Sequence, residues 1–202
     1  MSEPGKLMPI ISKAYCSSSP ITLTVRQRPR VISGGGFVVM NSTQNAVFMV
    51  EGCSSLGAKG QLRLKDGHGG LLLSITKKES IVQSLSIRNR WDGYSIDCEG
   101  EKKFIFSLTD PKCPIGKEIK IKIEHQGATT KGCRQYFQVN GSFVHRTCSI
   151  EDHRGNIIAQ LEAKGSNGRD WYNVTVQPGH DQAFVIGVLA VLDNIHGEST
   201  RC

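Results

Sequence analysis

Apolar and polar residues alternate over short stretches along most of the chain. Between positions 21 and 26, the apolar Ile21, Leu23 and Val25 alternate with polar residues, so they would share one face of an extended strand. The same alternation occurs in the stretches 61–65, 85–91, 117–124 and 171–176. Each stretch therefore predicts a strand with one face towards a core and one face towards solvent.

Other stretches are apolar at nearly every position. They are residues 37–40, 46–50, 71–75 and 104–108. Continuous apolar runs of this length are typical of strands that are covered on both faces or that form the wall of a barrel. Together with the alternating stretches, they indicate a mainly β fold of about twelve strands.

Two turn signals separate these strands. Asn140-Gly141 stands between the strand stretch 136–139 and Phe143, and it predicts a two-residue hairpin of type I′. Asp66-Gly67 precedes the apolar run at 71–75 and predicts a similar but longer connection. Because hairpins follow one another along the chain, we expect antiparallel pairing of the strands.

One segment, 181–196, departs from the strand pattern. Its run at 183–192 is apolar on every face of a helix, and Asp181 stands where a helix cap is expected. At about 1.5 Å per residue, this run covers only about half of the ~30 Å hydrocarbon core of a bilayer. We therefore expect the helix to fill a closed antiparallel β-barrel, where Gly187 would let barrel side chains approach the helix backbone.

The chain length of 202 residues suits one large β domain. Residues 1–20 are mixed in character and end in a serine run, so we expect a flexible arm before a single domain at 21–197 and a short tail at 198–202. The arm has no apolar run of signal-peptide length, and residue 2 is Ser rather than the Gly that myristoylation requires. We expect a cytoplasmic monomer without a transmembrane span; the membrane periphery and the nucleus are alternative locations.

Seven cysteines are scattered along the chain, and no two form a Cys-x-x-Cys pair. An odd number without ligand spacing argues against a disulfide framework or a zinc site. Cys148 with His145 and His153 is the densest group of metal-ligand types, yet residues 145 and 148 would point to opposite faces of a strand. We therefore expect reduced cysteines and no bound metal.

Six motifs follow one another in the sequence. They are Tyr15 with Leu23-Thr24-Val25, then Gly36-Phe37-Val38-Val39, Val47-Phe48-Met49-Val50-Glu51, Asp66-Gly67 with Leu71-Leu72-Leu73-Ser74-Ile75, Arg90-Trp91-Asp92-Gly93-Tyr94, and Val176-Gln177-Pro178-Gly179-His180-Asp181-Gln182-Ala183-Phe184-Val185. This is the order found in the plant LURP-one-related proteins. The chain resembles that family from Tyr15 to about Gly197, most specifically in its Pro-Gly-x-Asp-x-Ala-Phe segment.

The resemblance implies the fold of tubby C-terminal domains and phospholipid scramblases, a barrel around a hydrophobic C-terminal helix. It also implies a plant protein without an established catalytic activity, related to scramblases and to membrane-tethered transcription factors of the tubby type. One position departs from the family pattern, because Arg26 stands where a tryptophan is expected after Leu-Thr-Val, and the stretch 26–30 is more basic. This departure leaves the packing of the first strand open.

The sequence motifs of common nucleotide-binding and hydrolytic enzymes are missing. The glycine-rich stretches 34–36 and 67–70 match neither Gly-x-Gly-x-x-Gly nor a P-loop, and they are more typical of β turns. No Gly-x-Ser-x-Gly elbow is present, and the six histidines have no partner four residues away. A triad assembled from distant residues stays open, but we expect a non-enzymatic protein without a cofactor.

Basic side chains exceed acidic ones and give a formal net charge of +7. Alternation places Lys120 and Lys122 opposite isoleucines, on one outward ridge. Arg88 and Arg90 form a second ridge, and Lys117 lies at the start of the first. These five residues are candidate contacts for anionic phospholipid head groups, including phosphoinositides. The competing interpretation is a solvated strand face on which lysines protect a sheet edge.

We expect a binding or scaffold domain of the LURP-one-related type, with weak contact to anionic phospholipid or to a protein partner. The alternative is a regulatory protein that binds nucleic acid through its basic surface, including the stretch 26–30. Few aromatic residues are left to stack on bases, which weakens that alternative.

Overall fold

The computed structural model describes residues 7–28, 35–52, 60–79, 89–96, 100–110, 119–123, 135–164 and 171–196. In these residues, twelve strands surround one α-helix, α1. The elements are β1 (Ile21–Gln27), β2 (Phe37–Met40), β3 (Ala46–Glu51), β4 (Gln61–Asp66), β5 (Leu71–Glu79), β6 (Asn89–Ile96), β7 (Lys102–Asp110), β8 (Ile119–Ile123), β9 (Gln135–Ser142), β10 (Thr147–Asp152), β11 (Ile157–Ala163), β12 (Trp171–Val176) and α1 (Gln182–Ile195).

The strands form one closed antiparallel barrel. Each strand pairs with its neighbours in sequence, and β1 pairs with β12 to close the ring. This arrangement confirms the fold class predicted from the alternation and the hairpin signals. Closure also satisfies the backbone groups that an open sheet would leave at its two edges.

The strand β1 packs as its alternation predicts. Leu23 and Val25 are buried in the barrel, whereas Arg26 is exposed on the outer face. Arg26 pairs in register with Trp171 of β12, and its guanidinium carbon lies 4.8 Å from the centroid of the indole ring. A cation over an aromatic face is a favourable contact. The departure at position 26 therefore leaves the strand in place and changes only its outer face.

The helix α1 runs through the barrel and is buried from Ala183 to Asp193, which confirms the predicted central helix. Asp181 caps its start, because the carboxylate accepts a hydrogen bond from the Phe184 amide at 3.2 Å. The ring of Phe184 contacts those of Phe106 and Phe137, with centroids 5.7 and 5.4 Å away. The barrel wall supplies the apolar environment that a helix without a polar face requires.

Residues 7–20 lie against the barrel, which differs from the flexible arm that we expected for 1–20. The amides of Ile10, Ile11 and Ser12 donate hydrogen bonds to one carboxylate oxygen of Asp181 at 3.1, 2.7 and 2.9 Å. The ring of Tyr15 lies 5.2 Å from that of Phe48, centroid to centroid. The buried Asp181 carboxylate needs several donors, and the N-terminal segment supplies them. Residues 1–6 lie outside the described residues.

The turn predicted at Asn140-Gly141 is wrong by several residues. β9 continues through Gly141, which pairs with Cys148, and the chain reverses at residues 143–146. Phe143 and Arg146 in that turn are buried, and the Arg146 guanidinium lies 4.5 Å from the Phe143 ring centroid. Packing at the end of the barrel therefore overrides the local turn signal.

The connection predicted at Asp66-Gly67 is confirmed. β4 ends at Asp66 and β5 begins at Leu71, and the two strands pair antiparallel. The Asp66 carboxylate accepts hydrogen bonds from the amides of His68 and Gly70 at 2.9 and 2.7 Å. An aspartate that bonds the backbone two residues ahead is a common device for holding a turn.

Candidate functional site

Register pairing aligns alternate residues of β5 to β8 in two rows across the barrel wall. One row runs through the register partners Lys78, Arg90, Thr109 and Lys120, and the next through Thr76, Asp92, Ser107 and Lys122. The residues between these rows, among them Trp91, Leu108 and Ile121, are buried in the barrel. The rows therefore lie on the other side of the wall from the core, where Lys78 and Arg90 are exposed, while Asp92 and Ser107 are buried. We call the positions of Lys78, Arg90, Lys120 and Lys122 the basic face.

Arg90 is held in place by an aspartate of its own strand. Its Nε lies 2.7 Å from Oδ1 of Asp92, and the Arg90 side chain is 50% exposed while that of Asp92 is 7% exposed. A mostly buried carboxylate fixes the direction of the guanidinium. Because this contact uses Nε, an anion on the face would meet the terminal nitrogens of the guanidinium, which suit the oxygens of a phosphate group.

Tyr136 extends the basic face onto β9. It is the register partner of Lys122, whose side chain is half-buried. Tyr136 itself is 41% exposed, which is unusual among the aromatic residues that the structure describes, because most of them lie in the core. The aromatic ring and the lysine therefore stand side by side on the outer wall.

Acidic side chains with polar or basic partners border the basic face on both sides. On β10, Glu151 accepts hydrogen bonds from the Asn140 side chain at 2.7 Å and from the Ser149 hydroxyl at 2.8 Å. On β3 and β4, Glu51 and Lys65 form an ion pair at 2.6 Å. Along the described wall, the excess of positive charge is thus concentrated on β5 to β8.

Two of the five predicted contact residues have described side chains on this wall. Arg90 and Lys122 lie on the basic face. The backbone of Lys120 pairs in register with Thr109, which places this residue in the same row as Arg90. Its side chain lies outside the described part of the structure. Arg88 and Lys117 lie outside the described residues.

Sequence reasoning missed Lys78 and Tyr136. The apolar run at 71–75 suggested that β5 ends at Ile75, but the strand continues to Glu79 and carries Lys78 beside Arg90. For Tyr136, the alternation with buried Phe137 was the available signal. The register that aligns these residues across five strands cannot be predicted from the pattern within any one strand.

The histidine and cysteine group around β10 is spread over the whole strand. His145 and His153 are exposed near its two ends, and Cys148 is buried between them. Burial raises the pKa of the Cys148 thiol to about 12, against an opposing effect of the nearby Arg146 charge. The thiol is therefore protonated at neutral pH and is a poor nucleophile and metal ligand. In the described part of the chain, no three such residues are close enough to hold a metal ion.

Two cavities open on the barrel surface. One, of about 280 Å³, lies beside the start of α1 and is lined by residues that include Tyr15, Phe48 and Asp66. Burial, followed by the charges of Asp66 and Asp181, raises the pKa of the Tyr15 phenol, which therefore stays neutral at physiological pH. The other, of about 430 Å³, lies along β9 to β11 and reaches Arg146. Neither cavity adjoins the basic face.

The described residues include no helix with both the length and the apolar character needed to cross a membrane.

Comparisons with known proteins give a consistent result. The family model described as LURP-one-related matches residues 21–193. Protein LURP-one-related 6 of Arabidopsis thaliana is 47% identical over 196 residues, which cover 96% of this chain and 98% of that protein. Protein LURP-one-related 16 of the same plant is 43% identical over 96% of this chain and 95% of its own length. The X-ray structure of another Arabidopsis thaliana protein has the same fold, with a TM-score of 0.66 at 22% identity over 93% of this chain and 98% of that one.

Proposed function

This chain belongs to the LURP-one-related family, and we propose that it is a non-enzymatic binding domain whose basic face contacts anionic phospholipid head groups. The observation that carries the proposal is the register of β5 to β8, which aligns Lys78, Arg90 and Lys122 on one outer wall. The kinship with tubby domains and scramblases that the sequence suggested forms part of the proposal, as an analogy at the level of the fold.

The strength of such contact follows from the number of charges. Each basic side chain near an anionic membrane surface contributes about 1 kcal/mol. Asp92 offsets the charge of Arg90, so Lys78 and Lys122 together contribute about 2 kcal/mol, which corresponds to weak and reversible attachment. Because Lys78 and Arg90 are exposed to solvent, salt would screen the attraction over a distance of about 8–10 Å.

A role in binding also suits the interior of the molecule. In the described residues, α1 and the core side chains around it fill the barrel, so a ligand would be expected to bind outside it. None of the names of the relatives reported above denotes a reaction. The outer wall and the cavities beside Tyr15 and Arg146 lie on the outside of the barrel, where a ligand can reach them.

A charge-reversal experiment tests the proposal. The variant with Lys78→Glu and Lys122→Glu should keep the fold, because both side chains are on the outer wall. Its affinity for phosphatidylserine vesicles should fall at least tenfold, since about 1 kcal/mol or more is lost at each position. Flotation of the protein with vesicles, repeated over a salt series, measures the effect.

The matched control is Lys13→Glu with Arg154→Glu, which makes the same charge change at two exposed residues outside the basic face, one in the N-terminal 3-10 helix and one in the turn after β10. It should bind vesicles as the wild type does. Equal loss of binding in the control and in the double variant would show attraction by net charge alone. Unchanged binding in the double variant would remove the basic face as the lipid site.

The nucleic-acid alternative has less support on this structure. Trp171 is the partly exposed indole nearest to the basic stretch 26–30, but Arg26 lies over its ring at 4.8 Å and Lys164 at 5.9 Å. The ring is thus already engaged by cations and offers little face for a base. Residues 29 and 30 lie outside the described residues.

A further inference from the structure

We infer that Tyr136 is the membrane anchor of the basic face, with its ring in the head-group region beside Lys122. This inference rests on the proposed lipid contact and adds the orientation of the protein. The barrel would dock side-on, with the wall at β8 and β9 towards the bilayer, rather than end-on through its turns. The partner is an anionic lipid surface.

The chemistry of Tyr136 fits that role. Its ring is 41% exposed on the outside of a strand, next to a lysine on the neighbouring strand. Tyrosine is enriched where membrane meets water, because its ring is apolar and its hydroxyl can bond to head groups or water. A cation beside the ring attracts the anionic head groups and brings the ring to the right depth.

The other exposed apolar side chains occupy places that suit a membrane less well. In the described residues, Val144 and Ile157 are the remaining large apolar side chains with comparable exposure, each at 43%. Val144 lies in the turn after β9, and Ile157 lies on β11, two strands away from Tyr136 and further from the basic face. Tyr136 alone among these three residues adjoins the basic face.

The geometry of β9 makes the orientation measurable. At about 3.4 Å per residue, the strand from Tyr136 to its end is roughly 20 Å long, and Val144 lies beyond that end. Side-on docking centred on the Tyr136 end of β8 and β9 places Tyr136 in the membrane and leaves Val144, roughly 20 Å further along the strand, outside. End-on docking through the turn at 143–146 would reverse the two positions.

The test is a pair of full-length variants, Tyr136→Trp and Val144→Trp, mixed with vesicles of phosphatidylserine and brominated phosphatidylcholine. Bromine on the lipid quenches a tryptophan that enters the bilayer. We expect a blue shift and strong quenching of the added tryptophan in the first variant and neither in the second. The wild type, which has only Trp91 and Trp171, gives the background signal.

A second pair of variants checks that the ring contributes to affinity. Tyr136→Ser should weaken vesicle binding about fivefold, and Tyr136→Phe should retain most of it, because the aromatic ring is the inserted part. Circular dichroism melts of both variants check that these surface changes leave the fold intact. Equal binding by the serine variant and the wild type would count against an anchor.

The outcomes separate this inference from the function on which it rests. Vesicle binding without quenching at position 136 would overturn the anchor and leave the proposed lipid contact standing. Quenching at position 144 instead would show end-on docking. Binding to single-stranded nucleic acid, with no binding to vesicles, would overturn both proposals and assign the basic face to a different partner.

Discussion

At the scale of single residues, Gly187 marks the place where α1 comes close to the barrel wall. A Cβ at this position would lie 2.8 Å from the end of the Leu73 side chain, and 3.8 and 3.9 Å from Phe106 and Ile75. These neighbours are apolar and fully buried. The position therefore accepts neither bulk nor charge without a rearrangement of the core.

We predict that Gly187→Asp prevents folding. Desolvating a carboxylate among these apolar groups costs several kcal/mol, which is comparable to the ~5–15 kcal/mol that stabilises a whole domain. Gly187→Ala is the control, since its gain in helix propensity of up to ~1 kcal/mol is offset by contact with Leu73, whose flexible end has to move. Thermal melts followed by circular dichroism compare the two. An aspartate variant that melts like the wild type would mean that α1 is not enclosed.

At the scale of elements, the strands and the helix could be predicted because each has a periodicity that is local to it. The stretch 21–26 alternates and forms β1, and the stretch 181–196 is apolar on all faces and forms α1. The turn at Asn140-Gly141 could not be placed correctly, because its true position depends on the packing of Phe143 and Arg146 against distant residues. Where tertiary contacts are stronger than a local turn signal, the tertiary contacts determine the position of the turn.

The same distinction applies to the candidate site, where local patterns predict the direction of some residues but not which residues become neighbours. Arg90 and Lys122 could be predicted to face outwards from alternation within their own strands. That Lys78 adjoins Arg90, and Tyr136 adjoins Lys122, depends on the pairing of β5 with β6 and of β8 with β9. Pairing between strands is non-local, so it leaves no pattern in either strand alone.

The link between the N-terminal segment and α1 gives a prediction at this scale. The Asp181 carboxylate accepts hydrogen bonds from Phe184 and from three amides of the N-terminal segment, Ile10 among them. Asp181→Asn removes the charge and one acceptor oxygen, so it should lower the free energy of unfolding by about 2 kcal/mol or more. Urea unfolding measures the change.

Asp152→Asn is the matched control for that experiment. Asp152 also accepts backbone hydrogen bonds, from Arg154 and Asn156, but it lies in a turn close to solvent. Water can replace the lost contacts there, and the expected effect is below about 1 kcal/mol. If both variants lose the same stability, the burial of Asp181 has no special importance.

At the scale of the whole molecule, the closed barrel makes the helix depend on every strand. Each strand pairs on both sides, and β1 closes the ring with β12, so no free edge lies along the path to α1 in the described wall. Residues from Ala183 to Leu192 are buried on all sides. A helix enclosed in this way cannot reach water by fraying alone, since a section of the wall must open first.

Hydrogen exchange should therefore reveal α1 as the most protected part of the protein. We predict that the amides of residues 184–192 exchange only through global unfolding, with the same free energy as urea denaturation gives. The N-terminal segment at residues 8–12 should exchange at lower free energy, because it lies outside the ring and needs only local opening. Mass spectrometry of proteolytic fragments, over a range of sub-denaturing urea concentrations, separates the two behaviours. Exchange of α1 at a free energy well below the global value would show that the barrel opens without unfolding, and its interior would then have to be considered as a place for a ligand.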